Sequence, residues 1–127
     1  MALILDTNAV SAFADGDEKL LRAIEPERDI AVPAIVLGEY LFGIHQSRFR
    51  IRYEQWLNTN LPLFDLLSIG AGTARHYAEI RHELKLAGRP IPSNDLWIAA
   101  LAREHRMPVL SRDVHFEAVR GLTACSW

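Results

Sequence analysis

Ala2-Leu3-Ile4-Leu5-Asp6-Thr7-Asn8 is the stretch from which the rest of the chain can be read. Four apolar residues broken by a polar triplet predict a buried strand that hands over to a loop or helix at Asp6. In open α/β sheets ligands bind beyond the carboxyl ends of the strands, so an acid at that point stands where chemistry is usually done. The arrangement returns near the other end, where Met107-Pro108-Val109-Leu110 is followed by Ser111-Arg112-Asp113. Two strands that deliver an acid to one edge of one sheet say more than either does alone.

Between these stretches, short apolar runs alternate with helical periodicity. The pattern predicts about five strands, at 2–5, 30–32, 63–67, 107–110 and 122–125. Helices are expected at 7–14, 17–25, from Pro33 to 44, at 48–60, 71–86 and 93–105, with a short helical turn at 115–119. Pro33 suits a first helical turn, and Gly88 with Pro90 ends the long amphipathic helix. Short strands alternating with helices imply an α/β fold, a short central parallel sheet flanked by helices on both faces. No repeat, low-complexity tract or linker divides residues 1–127, which are expected to form one domain.

Composition narrows the class. Half of the 127 residues are hydrophobic, enough for a core of some size. No apolar stretch approaches the roughly 20 residues that a bilayer crossing needs. The start lacks a basic leader segment, so no signal peptide is expected and a cytoplasmic location is the economical reading. The single cysteine, Cys125, excludes an internal disulfide and a multi-cysteine zinc site. A net charge of −2 provides no general field for polyanions, so nucleic-acid binding would depend on local basic clusters and metal ions.

Two further acids stand out. Glu39 lies inside Pro33-Ala34-Ile35-Val36-Leu37-Gly38-Glu39-Tyr40-Leu41-Phe42-Gly43-Ile44, a helix apolar almost all round. An unpaired carboxylate buried there costs several kcal/mol, so it needs a cation, a donor or a route to solvent. Asp95 opens the apolar helix Leu96-Trp97-Ile98-Ala99-Ala100-Leu101-Ala102. Helix capping is an available reading for Asp6, Asp95 and Asp113, but not for Glu39 in mid-helix, whose plain alternative is an ion pair with an arginine. Acids gathered in one cleft repel one another and raise each other's pKa. A divalent metal relieves that, and an all-oxygen set suits Mg²⁺ or Mn²⁺ rather than zinc. His45, His76, His82, His105 and His115 show no metal-ligand spacing. Acid clusters that hold one or two such ions are a recurring device for cleaving phosphodiesters.

Four segments in order carry a resemblance: Leu5-Asp6-Thr7-Asn8; Glu39-Tyr40-Leu41-Phe42-Gly43-Ile44; Asn94-Asp95-Leu96-Trp97-Ile98-Ala99-Ala100; and Leu110-Ser111-Arg112-Asp113-Val114-His115-Phe116. With them the chain resembles PIN-domain ribonucleases, above all the VapC-type toxins of toxin–antitoxin pairs. The resemblance implies that Asp6, Glu39, Asp95 and Asp113 are the catalytic acids and hold Mg²⁺ or Mn²⁺. By the same matching, Asn8 and Ser111 support the acids through hydrogen bonds. The family accepts Asn in place of Asp113, so the fourth acid weighs less than the others. The implied activity is endonucleolytic hydrolysis of RNA by an attacking water, leaving 5′-phosphate and 3′-hydroxyl ends. The implied partners are a cognate antitoxin and a second copy in a homodimer.

Basic residues fall in two sets. Arg48 and Arg52 share a helix face, as do Phe49, Tyr53 and Trp56; this is a solvated basic face over an aromatic stripe, or else a groove for a peptide or RNA. Arg75, Arg81, Lys85 and Arg89 are interspersed with Glu79 and Glu83, so surface pairing is the default. Arg112 adjoins an acid, and either contacts a substrate phosphate or neutralises the site. Two other functions compete. A phosphatase with a nucleophilic aspartate would want a second acid where Asn8 stands, and a non-catalytic RNA- or partner-binding module would be expected to lack one of the four acids.

Overall fold

The structure is a computed structural model that describes residues 2–26 and 29–127. Its five strands are β1 (Ala2–Leu5), β2 (Asp29–Pro33), β3 (Asp65–Leu67), β4 (Val109–Leu110) and β5 (Ala124–Cys125). Every pairing is parallel, in the order β3-β2-β1-β4-β5. Six helices connect them: α1 (Thr7–Ala14), α2 (Glu18–Ile24), α3 (Ala34–His45), α4 (Arg50–Asn60), α5 (Ala71–Leu86) and α6 (Ser93–His105). From β1 the chain steps outward through β2 to β3, then returns past β1 to β4. With right-handed crossovers, that reversal puts α1–α4 on one face and α5–α6 on the other. The chain therefore leaves β1 and β4 in opposite directions, and a crevice opens between their carboxyl ends.

Burial fixes this junction. Leu3, Ile4 and Leu5 of β1 and Val109 and Leu110 of β4 are buried, as the two-sided cover demands. Each such side chain contributes roughly 1.5–3 kcal/mol on leaving water. In register, Ile4 faces Val109 and Leu5 faces Leu110. The ladder extends to the first polar residue, where Asp6 N–H donates to Leu110 O at 3.1 Å. A side-chain bond closes the helical layer beyond α6. Thr73 Oγ donates to Glu104 Oε1 at 2.5 Å and ties the start of α5 to the end of α6, so these helices run antiparallel.

Several boundaries differ from the sequence reading, each for a local reason. The strand expected at 107–110 shrinks to Val109–Leu110. Met107 N–H still bonds to Ala102 O, and Arg106 takes a left-handed conformation (φ 54°) that closes α6. The strand expected at 63–67 begins at Asp65, because Leu61–Leu63 form a 3-10 turn around Pro62. The last strand starts at Ala124, and the short helical turn expected at 115–119 is a 3-10 turn over Val114–Ala118. Pro33 closes β2 and stands just before α3 instead of inside its first turn. α4 starts at Arg50, which leaves Phe49 outside the helix and 47 % exposed, so the aromatic stripe is limited to Tyr53 and Trp56. Trp56 packs edge-on against Phe13 and Tyr40.

Candidate metal centre

Asp6 sits at the end of β1, 5 % exposed, and is also the N-cap of α1. Its Oδ1 accepts from Thr7 N at 2.8 Å and its Oδ2 from Ser111 Oγ at 2.7 Å. The capping role and the site role thus coexist in one carboxylate. Ser111 follows β4 and uses its whole hydroxyl: it donates to Asp6 and accepts from Asp113 N at 2.9 Å and Asn8 Nδ2 at 3.3 Å. Asn8 completes the brace, with Nδ2 3.4 Å from Asp6 Oδ2 and Oδ1 accepting from Arg112 N at 3.2 Å. An amide is needed there to donate on one side and accept on the other. A second carboxylate, as the phosphatase reading wants, could not donate.

Glu39 comes up from α3 on the neighbouring face and is half-buried. Thr7 Oγ donates to its Oε1 at 3.1 Å, which links it to the end of β1. No arginine pairs with it among the described residues. Four residues on, a methyl group at Gly43 would meet nothing within 4 Å. Gly43 lines an open cleft of about 320 Å³ with Thr7, Ser11, Glu39 and Tyr53, and this is the route to solvent that the acid requires.

The other wall brings Asp95, in the first turn of α6, towards Asp113, the cap of the 3-10 turn. Between them stands His115, whose Nδ1 lies 2.7 Å from Asp95 Oδ2 and 2.8 Å from Asp113 Oδ1. A nitrogen that close to two carboxylate oxygens carries its proton. The absence of ligand-type histidine spacing did not reveal this residue, which enters the site against two of the acids. The usable signal is positional: an acid at a strand end followed at i+2 by a histidine inside a tight turn.

Charge in the crevice is under strain. Burial pushes the Asp6 carboxyl up from its ordinary value; the bonds from Ser111 and Thr7 pull it down, while Glu39 and Asp113 push it up again. Asp95 is likewise raised by burial first, with the His115 bond opposing and Asp113 and Asp6 adding to the rise. His115 is raised, chiefly by its bond to Asp95. The acids at 6, 39, 95 and 113 thus form one electrostatic neighbourhood. Ligand atoms of Asp95, Asp113 and His115 lie within 4.8 Å of one another, so the group could hold a metal ion. Mutually repelling carboxylates, one buried and three half-buried, fit a hard divalent cation.

Arg112 does not neutralise the acids. Its guanidinium stacks 4.5 Å above the Trp127 ring, and Nη2 reaches Trp127 O at 3.4 Å. Asn94, beside Asp95, is exposed.

A parallel sheet with acids converging on its switch point defines a class, and the PIN domain model matches residues 3–122. The chain belongs to the PIN-domain family. Among its relatives, Ribonuclease VapC5 of Mycobacterium tuberculosis is 32 % identical over 93 % of this chain and 87 % of its own length. Among solved structures, a member of the VapBC family of toxin–antitoxin systems, VapBC-5 of the same organism, superposes with a TM-score of 0.76 at 29 % identity, covering 98 % of this chain and 96 % of that one. VapBC2 of Rickettsia felis, at 24 % identity, shares the fold with a TM-score of 0.88 over 100 % of this chain and 99 % of that one.

Proposed function

We propose that residues 1–127 form one PIN domain acting as a metal-dependent endoribonuclease, the toxin of a type II toxin–antitoxin pair. The observation that carries this is the convergence of Asp6, Glu39, Asp95 and Asp113 at the β1/β4 switch point, in a family whose relatives are named ribonucleases. Asp6, buried, and Asp95, half-buried, both have raised pKa values and would gain most from a cation, and Asp113 and Glu39 would complete the set that holds it. Mg²⁺ or Mn²⁺ suits this set. Such an ion, when bound, lowers the pKa of a water and offsets charge on the scissile phosphate.

The chain's own residues have separate tasks. Ser111 and Asn8 hold Asp6 in one orientation, and Thr7 does the same for Glu39. His115 keeps Asp95 and Asp113 together by donating a proton between them. The cleft beside Glu39 gives the attacking water access. Arg112 is the candidate contact for a substrate phosphate, steered by its stack on Trp127. The proposed partners are RNA, a cognate antitoxin and a second copy of the chain. The likeness to VapBC assemblies supports the antitoxin, and exposed Phe42 and Ile51 suit a covered surface. A cytoplasmic site of action accords with these partners, and no helix among the described residues is long and apolar enough to cross a membrane.

The test is incubation with total cellular RNA, with and without EDTA, followed by mapping of the cut ends. New 5′-phosphate and 3′-hydroxyl ends that depend on metal are expected. Cuts that persist in EDTA, or equal cutting by Asp6→Asn, overturn the assignment.

A further inference from the structure

The acidic centre repels phosphates, and the chain as a whole carries a charge of −2. A polyanionic substrate must therefore gain its affinity from cations close to the acids but outside them. The structure contains such a place. A cavity of about 380 Å³ opens between the second half of α5 and the beginning of α6, lined by Arg81, Leu84, Lys85, Pro90, Ile91, Ser93 and Leu96.

Its two cations are free of the pairing that the sequence suggests. Glu83 turns away to Arg103 at 2.7 Å, and Glu79 faces His76 at 3.7 Å. Among the described residues neither Arg81 nor Lys85 takes part in an ion pair. Arg81 is nevertheless oriented: Nη1 donates to Tyr77 Oη at 3.1 Å, and Tyr77 stacks on Trp97 with ring centres 4.0 Å apart. One of the five guanidinium N–H donors is used and the others remain for a ligand. Lys85 lies one turn further on the same face. The floor of Leu84, Ile91 and Leu96 is apolar, as a base or ribose needs. Ser93 adds a hydroxyl, and α6 begins there without a side-chain cap, so its first amides stay open.

Position ties the cavity to the acids. Ser93 and Asp95 belong to the same first turn of α6, two residues and hence about 200° apart around the helix. The cavity and the acidic centre flank that helix end, about one helix diameter (~10 Å) apart. We propose that this cavity is a subsite for an RNA nucleotide flanking the scissile bond, with Arg81 and Lys85 on its phosphate and the apolar floor under its base or sugar. The proposal rests on the ribonuclease reading for the identity of the ligand.

The test uses a fluorescein-labelled 20-nucleotide RNA of mixed sequence and anisotropy in EDTA, where nothing is cut. The variants are Arg81→Gln/Lys85→Gln and, as a control on α2, Lys19→Gln. All three side chains are exposed, so thermal midpoints should match wild type. The double variant is expected to bind at least about fivefold more weakly. Its salt dependence should be shallower by about 0.7 in log–log slope for each phosphate no longer neutralised. Lys19→Gln should bind as wild type does. Equal binding by the double variant, equal weakening in the control, or no binding by wild type overturns the subsite. Wild type that binds in this pattern but does not cut cellular RNA with Mg²⁺ or Mn²⁺ overturns the nuclease reading, and with it the scissile-bond assignment, and leaves the cavity as an RNA-binding site only.

Discussion

Ser111 Oγ donates to Asp6 Oδ2 at 2.7 Å across the junction of β1 and β4. This bond joins residues 105 positions apart and sets the direction of the innermost carboxylate. Ser111→Ala removes it and also strips acceptors from Asp113 N–H and Asn8. We expect stability to fall by about 1–3 kcal/mol and RNA cleavage to fall about 10- to 100-fold, as for other groups that orient metal ligands. Denaturant melts and cleavage rates on the same preparation check both. Full activity in Ser111→Ala would show that Asp6 needs no brace.

Asp95→Asn separates function from stability. The amide keeps an oxygen for His115 but avoids burying a charge next to Asp113 and Asp6. Cleavage should fall below detection, while the metal-free protein melts at or above the wild-type temperature. A clearly lower melting temperature would mean that the Asp95 charge holds the fold together.

Divalent metal should raise the melting temperature of wild type, because it binds the folded state alone. At a hundredfold excess over Kd the gain is about 2.7 kcal/mol. Asp95→Asn should lose most of this shift, and EDTA should reverse it. A melting curve indifferent to millimolar Mg²⁺ and Mn²⁺ would argue against a preformed pocket.

Tyr40 gives a pH prediction outside the metal centre. Its hydroxyl is buried without a hydrogen-bond partner, and burial, with Tyr53 and Asp15 adding, pushes its pKa up to about 12. Between pH 10, the unfolded value, and about 12, the folded chain keeps a proton that the unfolded chain has released. Stability therefore drops as pH rises through that window, by an amount on the order of 2 kcal/mol. Tyr40→Phe should flatten the alkaline loss and leave the neutral-pH melting temperature unchanged or higher, since an unsatisfied hydroxyl is removed. Alkaline melts of the two proteins decide it.

The sheet and its acids could be read from sequence where burial and chain order coincide. Leu3–Leu5 and Val109–Leu110 are apolar because both faces are covered, and the first polar residue after each run had to stand at the sheet's edge. Glu39 could be read from its misfit with an apolar helix. Strand ends were harder to place, because Met107 looks like strand while its N–H completes α6. His115 was out of reach for a different reason: its role depends on a 3-10 turn that swings the ring back between Asp95 and Asp113, and histidine spacing along the chain carries no trace of that. The free state of Arg81 and Lys85 was equally hidden, since it depends on Glu83 choosing a partner on another helix.

The four acids come from the ends of β1 and β4 and from α3 and α6, so they are scattered over most of the length of the chain. They meet only once β4 has taken its place beside β1. Through the end of α6 the chain carries three of the four acids but lacks the strand that sets the end of β1 and the start of α6 beside the fourth. Asp113, the last of the four to be made, follows β4 itself, so the strand that closes the site and the acid that completes it emerge together. A chain interrupted anywhere between α6 and β4 would therefore keep Asp6, Glu39 and Asp95 and still lose the crevice that gathers them.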